Sequence, residues 1–265
     1  MPHALTAGEN SEKQPKATPE RPNIIFILAD DMGYGDLSCY GSKYVKTPNI
    51  DRLAATGTRF NQCYAGSGIS SPSRCSLMTG KNTGNTRIRD NMCKAGGIAG
   101  IKVNPRGDST IVRRANLLPE DTTIATVLTA AGYRTCLVNK WHLDGYDKGA
   151  SPNHRGFDEF YGWTISTVHS NSPYYYPYYR FHGDSLINIK ENANGRHGIH
   201  NNDLSVNDAI AFVERNRENP SSSISLLMRL TSHTTSTRQH GMTDRRRGHR
   251  TLSAMPHSSL TWTLP

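Results

Sequence analysis

The chain has 265 residues, carries 31 Lys and Arg against 22 Asp and Glu, and is 35% hydrophobic. That length fits one domain or part of a larger one, and the composition is neither membrane-like nor that of a disordered chain. Six Arg and a single Asp fall in residues 220–265, so much of the +9 net charge belongs to that segment rather than to a nucleic-acid-binding surface spread over the chain.

Residues 1–20 are polar and contain Pro, which reads as a disordered leader without the apolar core of a signal peptide. Asn23–Ala29 is continuously apolar and rich in Ile, the pattern of a strand covered on both faces. At six residues, the run Ile24–Ala29 is the longest apolar stretch and far short of the ~20 that a membrane helix needs, so no transmembrane span is expected. Asp30-Asp31 and a Gly-punctuated loop follow. Thr47-Pro48 opens a helix that ends before Gly57, with Ile50, Leu53 and Ala54 on one face. Pro72 opens a second helix running to Gly80. Thr122 to Ala131 forms a third, with Ile124, Val127 and Leu128 as its apolar face. Arg134–Asn139 is a strand, with Lys140-Trp141-His142 at its end. Ser205 is expected to cap a fourth helix, with Asp208 completing a capping box. Val206, Ala209, Ile210 and Val213 make its apolar stripe. This alternation gives an α/β fold, a sheet with helices on both faces.

In such sheets ligands gather at the carboxyl ends of strands, where both Asp30-Asp31 and Lys140–His142 fall. Adjacent carboxylates there repel unless a cation compensates, and a hard cation bound through oxygen suits them; a solvated turn is the plainer alternative. Ser70 would sit just before a helix N-terminus that favours anions, with Arg74 one turn on, in reach of residue 70 or of a bound oxyanion. Lys140 and His142, as alternate residues, would share a face if the strand continues, which pairs a fixed cation with a titratable imidazole. Tyr174–Tyr179 lacks interleaved Lys or Arg, so it reads as a loop packed on the core or walling a pocket. The five cysteines (39, 63, 75, 93 and 136) show no metal-type spacing, so buried or incidental thiols are expected ahead of disulfides.

Taken together, these fragments resemble the sulfatase family. The stretches Arg21–Asp31 and Thr47–Ala54 are similar to its N-terminal signature. Ser70-x-Pro72-Ser73-Arg74-x-x-Leu77-x-Thr79-Gly80 matches its modification motif. Thr83–Asn91, Gly132–Thr135 through Lys140–Leu143, and Gly156–Gly162 continue the series, so the match covers about residues 21–219. The resemblance implies an alkaline-phosphatase-like mixed sheet and a sulfuric ester hydrolase of the arylsulfatase kind, acting on an aryl or sugar sulfate. It implies that Ser70 is oxidised to formylglycine by a sulfatase-maturating enzyme, the serine form being that of bacterial members. It further implies a calcium ion held by Asp30, Asp31 and residue 70, with Arg74, Lys140 and His142 around the transferring sulfuryl group. Family members are mostly periplasmic, lysosomal or secreted. Asn139 stands where the family usually has Gly.

After Asn219 the composition changes: 17 of the last 46 residues are Ser or Thr, with six Arg and no Lys. The plain reading of residues 220–265 is a solvated, disordered basic tail; the sharper and preferred one is a shifted reading frame. Taking the third base of each codon with the next two lets Pro220–Ser223 yield Phe-Phe-Phe and Thr231–Thr235 yield Leu-Pro-His-Tyr, the order a sulfatase has at this point. On that reading the chain is a truncated, inactive N-terminal part. Two alternatives stand beside it: a phosphatase or phosphonate hydrolase of the alkaline-phosphatase-like group, and, ranked last, a basic nucleic-acid-binding protein, for which the tail offers no motif.

Overall fold

A computed structural model of the chain describes residues 22–30, 32–92, 98–103, 108–145, 147–164 and 174–217. The expected leader, Asp31, Cys93 and the 220–265 tail lie outside these residues.

A four-stranded mixed sheet organises the described part. Strands β1 (Ile98–Val103) and β2 (Ser109–Arg114) form a separate antiparallel pair. In the main sheet β3 (Cys136–Lys140) runs parallel to β4 (Glu159–Trp163), with Lys140 opposite Trp163; β5 (Tyr179–His182) and β6 (Ser185–Asn188) follow antiparallel. Among the described residues four α-helices accompany it: α1 (Pro48–Thr56), α2 (Ser70–Thr79), α3 (Ile124–Ala130) and α4 (Asn201–Asn216).

The sheet is covered on both faces, as expected. Leu137, Trp141 and Phe160 pack with Cys75 and Met78 of α2 and Ala125 of α3. Cys136, Val138 and Tyr161 pack with Ala209 and Phe212 of α4 on the other side. All five residues of β3 are buried, Asn139 and Lys140 included. Each fully buried Leu, Val or Phe contributes roughly 1.5–3 kcal/mol, so β3 anchors the arrangement.

Two sequence fragments lock together at the start of β3 and β4. Asp158 accepts from the Thr135 amide at 2.8 Å and from Arg134 at 3.0 Å, and the Gly156 carbonyl accepts from Thr129 and Thr135. Gly156 has φ +95°, and a Cβ there would lie 2.5 Å from the Thr126 amide nitrogen. Gly162 is needed for space instead: its Cβ would fall 1.9 Å from the Asn139 carbonyl oxygen.

Several expectations are corrected. The apolar run is no covered strand: Ile24, Ile25, Phe26 and Ile27 are 36–56% exposed, and within 22–30 ladder pairing is confined to a bridge at Ala29. Leu28 alone of the run packs on the core. Apolar content encodes a capacity for burial, and the described residues do not supply the neighbours on both sides that would realise it. In α3 the buried residue is Ala125, while Ile124 and Val127 point outward. Helix α2 starts at Ser70, two residues before Pro72, with Ile69 as N-cap. Helix α4 starts at Asn201 with the His200 imidazole accepting from the Asn202 amide, so Ser205 is not a cap but an internal, buried residue. Asp208 faces Arg180 of β5 rather than the helix start.

Candidate active site

The first turn of α2 is fixed from outside the helix. The Ser71 amide donates to Asn91 Oδ1 at 2.9 Å, and the Ser71 hydroxyl donates to the His142 carbonyl at 3.0 Å. These contacts set Ser70 against the segment that follows β3. Arg74, one turn on and 3% exposed, donates three ways: to Ser70 Oγ at 3.2 Å, to the Lys140 carbonyl at 2.8 Å and to Asp30 Oδ2 at 3.2 Å. Lys140 Nζ reaches the same Asp30 oxygen at 2.6 Å and lies 5.8 Å from the Trp163 ring centroid. His142 Nδ1 is 3.0 Å from Ser70 Oγ. Ser70, Arg74, Lys140, His142 and Asp30 therefore converge. Asp31, the remaining expected ligand, lies outside the described residues.

The convergence is not achieved by strand alternation. Strand β3 ends at Lys140, and Asn139 (φ +80°) and His142 (φ +64°) take left-handed backbone conformations that re-aim the chain. A non-glycine residue in that region costs roughly 1–2 kcal/mol, least for Asn. Asn139 fits where the resembling family has Gly because its side chain is fully used: Nδ2 donates to Ser205 Oγ and Oδ1 accepts from Trp163 Nε1, both at 2.9 Å.

The electrostatics are cationic. Burial, then the charges of Lys140, Arg114 and Arg74, push the His142 imidazole down to about 2, with Asp30 acting weakly the other way. The imidazole that the sequence offered as titratable is thus neutral in this state, and a bound anion would favour its protonation. Sequence reasoning missed two residues here. Arg114, at the end of β2, places NH1 3.2 Å from His142 Nε2 and donates to the Asn91 carbonyl at 2.7 Å. Neither residue carried a signal beyond Asn91's place in the Thr83–Asn91 fragment.

For a calcium ion, the donors here fit in kind: a half-buried carboxylate at Asp30 and the oxygen of residue 70, both held by Arg74. They do not fit in number, since calcium takes about six to eight oxygens and no group of three or more acidic, His or Cys residues gathers among the described residues. Further ligands have to come from beyond them. A separate cavity of about 500 Å³ lies by the β5–β6 hairpin, lined among others by Asp144, Asp147, Ser151, His154, Phe181 and Asp184; none of the converging residues lines it. Tyr174, Tyr175 and Tyr176 are half-buried and stack among Trp163, His197 and His200, in keeping with a packed loop. Cys39, Cys63, Cys75 and Cys136 are all thiols, and Cys75 and Cys136 are buried.

A mixed sheet between helices, with an anion-ready cluster at its strand ends, defines an α/β protein of the alkaline-phosphatase-like fold. The profile of the family described as Sulfatase matches residues 22–252, and the chain belongs to that family. Among its relatives, human arylsulfatase A is 40% identical over 153 residues, which is 57% of this chain and 27% of that protein. The N-acetylgalactosamine-6-O-sulfatase of Bacteroides thetaiotaomicron is 40% identical over 150 residues, 54% of this chain and 23% of that one. The matched segments thus span about a quarter of these relatives' lengths. Among solved structures, Ps i-CgsB in complex with k-i-k-neocarrahexaose superposes with a TM-score of 0.60 at 25% identity, over 81% of this chain and 46% of that one. BT4656 in complex with its substrate D-glucosamine-2-N,6-O-disulfate gives 0.58 at 28%, over 79% and 34%. No helix among the described residues is long and apolar enough to cross a membrane.

Proposed function

We propose that residues 21–219 carry the sulfuryl-transfer half of a sulfate ester hydrolase acting on aryl or sugar sulfates. The observation that carries this reading is the convergence of two side-chain nitrogens on one oxygen: Arg74 Nε donates to Ser70 Oγ at 3.2 Å, and His142 Nδ1 stands 3.0 Å from it. Ser70, oxidised to formylglycine by a maturating enzyme, would supply a hydrated aldehyde as the nucleophile on sulfur. Arg74 stabilises negative charge on the attacking oxygen, a contribution that is preorganised because its guanidinium also donates to the buried Lys140 carbonyl, and His142 stands beside the same oxygen to take part in proton transfer. Lys140, held between Asp30 and Trp163, offers its ammonium to sulfuryl oxygens and to the leaving oxygen. A calcium ion held by Asp30, Asp31 and residue 70 would add a further charge facing the sulfate.

The test is co-expression of the full chain with a serine-type maturating enzyme. Peptide masses should show two hydrogens lost at residue 70; the chain by itself should not turn over, and a full-length relative with the same Ser70–Gly80 motif should hydrolyse an aryl sulfate in preference to the phosphate of the same phenol. Faster phosphate turnover, or hydrolysis that survives Ser70→Ala, would overturn the assignment. For the ion, added calcium should raise the midpoint of thermal unfolding, and Asp30→Asn should abolish the rise.

A further inference from the structure

The cluster around Ser70 is cationic, and the cavity by the β5–β6 hairpin has the opposite sign. Its walls carry three carboxylates, Asp144, Asp147 and Asp184, against one ammonium, Lys148. Neither Asp147 nor Asp184 forms a salt bridge with a Lys or Arg among the described residues; the basic group beside Asp184 is the His154 imidazole, its Nε2 3.7 Å from Oδ2. Both carboxylates also keep acceptor capacity. Asp147 accepts from the Gly149 amide at 2.9 Å and from Asn116 Nδ2 at 3.2 Å, and Asp184 accepts from the Ser151 hydroxyl at 2.9 Å. An ionised carboxylate offers about four lone-pair sites, so neither group is saturated.

The cavity is shaped before any ligand arrives. Ser151 Oγ lies 2.9 Å from His154 Nδ1 as well as from Asp184, so one hydroxyl ties the hairpin turn to the Pro152–Arg155 turn. Phe181 and Leu186 supply an apolar patch, and the Phe181 ring is fixed by stacking on Phe160, with 6.2 Å between centroids. The volume of about 500 Å³ suits a small organic molecule, for which sites run on the order of 300–1,000 Å³. A bare metal ion fits poorly, because no group of three or more acidic, His or Cys side chains gathers to hold one among the described residues. Carboxylates spread along a wall instead suit an organic cation, and they repel anions.

We propose that this cavity is a second binding site, separate from the Ser70 cluster, for an ammonium-bearing ligand of sugar size: an amino sugar with a free amine. The ammonium pairs with the carboxylates that no Lys or Arg neutralises, and Phe181 with Leu186 takes the C–H face of the ring. Asp184, at the hairpin turn, is the carboxylate most open to a ligand, with its side chain 58% exposed. Nothing in the assignment requires a sulfate group or a formylglycine, so it stands or falls apart from the sulfatase reading.

The test is calorimetric titration of the full chain with glucosamine, glucose and glucuronate, which differ in charge at nearly constant shape, at about pH 6.5, where the amine is protonated and the carboxylates are not. Glucosamine should bind about tenfold tighter than glucose, and glucuronate should not bind. Asp184→Asn should bring glucosamine down towards the affinity of glucose, whereas Asp203→Asn, at an exposed position outside the lining, should change nothing. Inorganic sulfate at matched ionic strength, directed to the cationic cluster, should leave glucosamine bound. Glucuronate binding as tightly as glucosamine, binding of none of the three, or displacement of glucosamine by sulfate or by millimolar calcium overturns the proposal, whether or not the variants fold. So does a folded variant carrying both Asp147→Asn and Asp184→Asn that keeps full affinity. A matured full-length relative that fails to cleave sulfate esters would sink the sulfatase reading and leave this site standing.

Discussion

The Asn139 side chain donates to Ser205 Oγ at 2.9 Å, tying β3 to the middle of α4 one residue before Lys140. The Ser205 hydroxyl in turn donates a hydrogen bond to the Asn201 carbonyl at 2.8 Å, so it is satisfied in both directions inside the core. Replacing Asn139 by Ala should cost about 2–3 kcal/mol, from a left-handed backbone without compensation and the indole N–H of half-buried Trp163 left without this partner. Asn139→Gly keeps the hydrogen-bond loss but removes the backbone strain, so it should cost less. Urea unfolding of both variants checks this, and a Gly variant as weak as the Ala variant would show that the backbone conformation is not at issue.

Gly162 is the tightest point between β3 and β4. Gly162→Ala places a methyl inside the van der Waals radius of the Asn139 carbonyl and should lower stability by more than ~3 kcal/mol or abolish folding. Gly35→Ala, with nothing within 4 Å, is the control and should stay within about 0.5 kcal/mol of the unmutated chain. Thermal unfolding of the pair decides, and a mild Gly162→Ala would mean that β3 and β4 are not in this register.

Tyr161 gives a pH prediction. Burial, then the hydrogen bond to Glu159, pushes its phenol up to about 12. Its hydroxyl donates to Glu159 Oε2 at 2.7 Å and accepts from Arg215 at 3.1 Å. Between pH 10 and 12 the unfolded chain releases a proton that the folded chain keeps, so stability falls as pH rises, by up to about 2 kcal/mol over that window. Tyr161→Phe should show a shallower alkaline loss in urea titrations at pH 9 and pH 11. Equal slopes would rule out this phenol as the cause.

Thiol chemistry reports on core closure. Cys63 is exposed, whereas Cys75 and Cys136 are fully buried and burial pushes both thiols up. A disulfide reagent at neutral pH should modify Cys63 in the folded chain and reach Cys75 and Cys136 only on unfolding, as read by peptide mapping. Labelling of Cys136 at the rate of Cys63 would show that α4 does not close over β3.

What the sequence made legible, and what it hid, divides by the range of the interactions involved. Helix α1 runs from Pro48 to Thr56 as Thr47-Pro48 and Gly57 announce, because its ends depend on local backbone chemistry. Ser205 misled because the serine-and-acid pattern of a cap is also what remains when the serine serves Asn139, 66 residues away, and the acid serves Arg180. The true cap, the His200 imidazole, has no sequence signature. Of the site, Ser70, Arg74, Lys140, His142 and Asp30 were legible as fragments, and the structure brings them together. Arg114 was not, since an arginine at the end of a hairpin in a basic chain looks like any solvated charge until the fold sets it against an imidazole.

Asp30 Oδ2 is shared between Arg74 and Lys140, so a single carboxylate oxygen faces two cations, with Arg114 as a third close by. Among the described side chains the site keeps a surplus of positive charge while residue 70 is still an ordinary serine. On the proposed reading, anion capture and bond cleavage would be separable properties of this cluster. The first would rest on the fold, where inorganic sulfate should compete and rising ionic strength should loosen the grip. The second would be added afterwards, at one atom of residue 70, by a maturating enzyme.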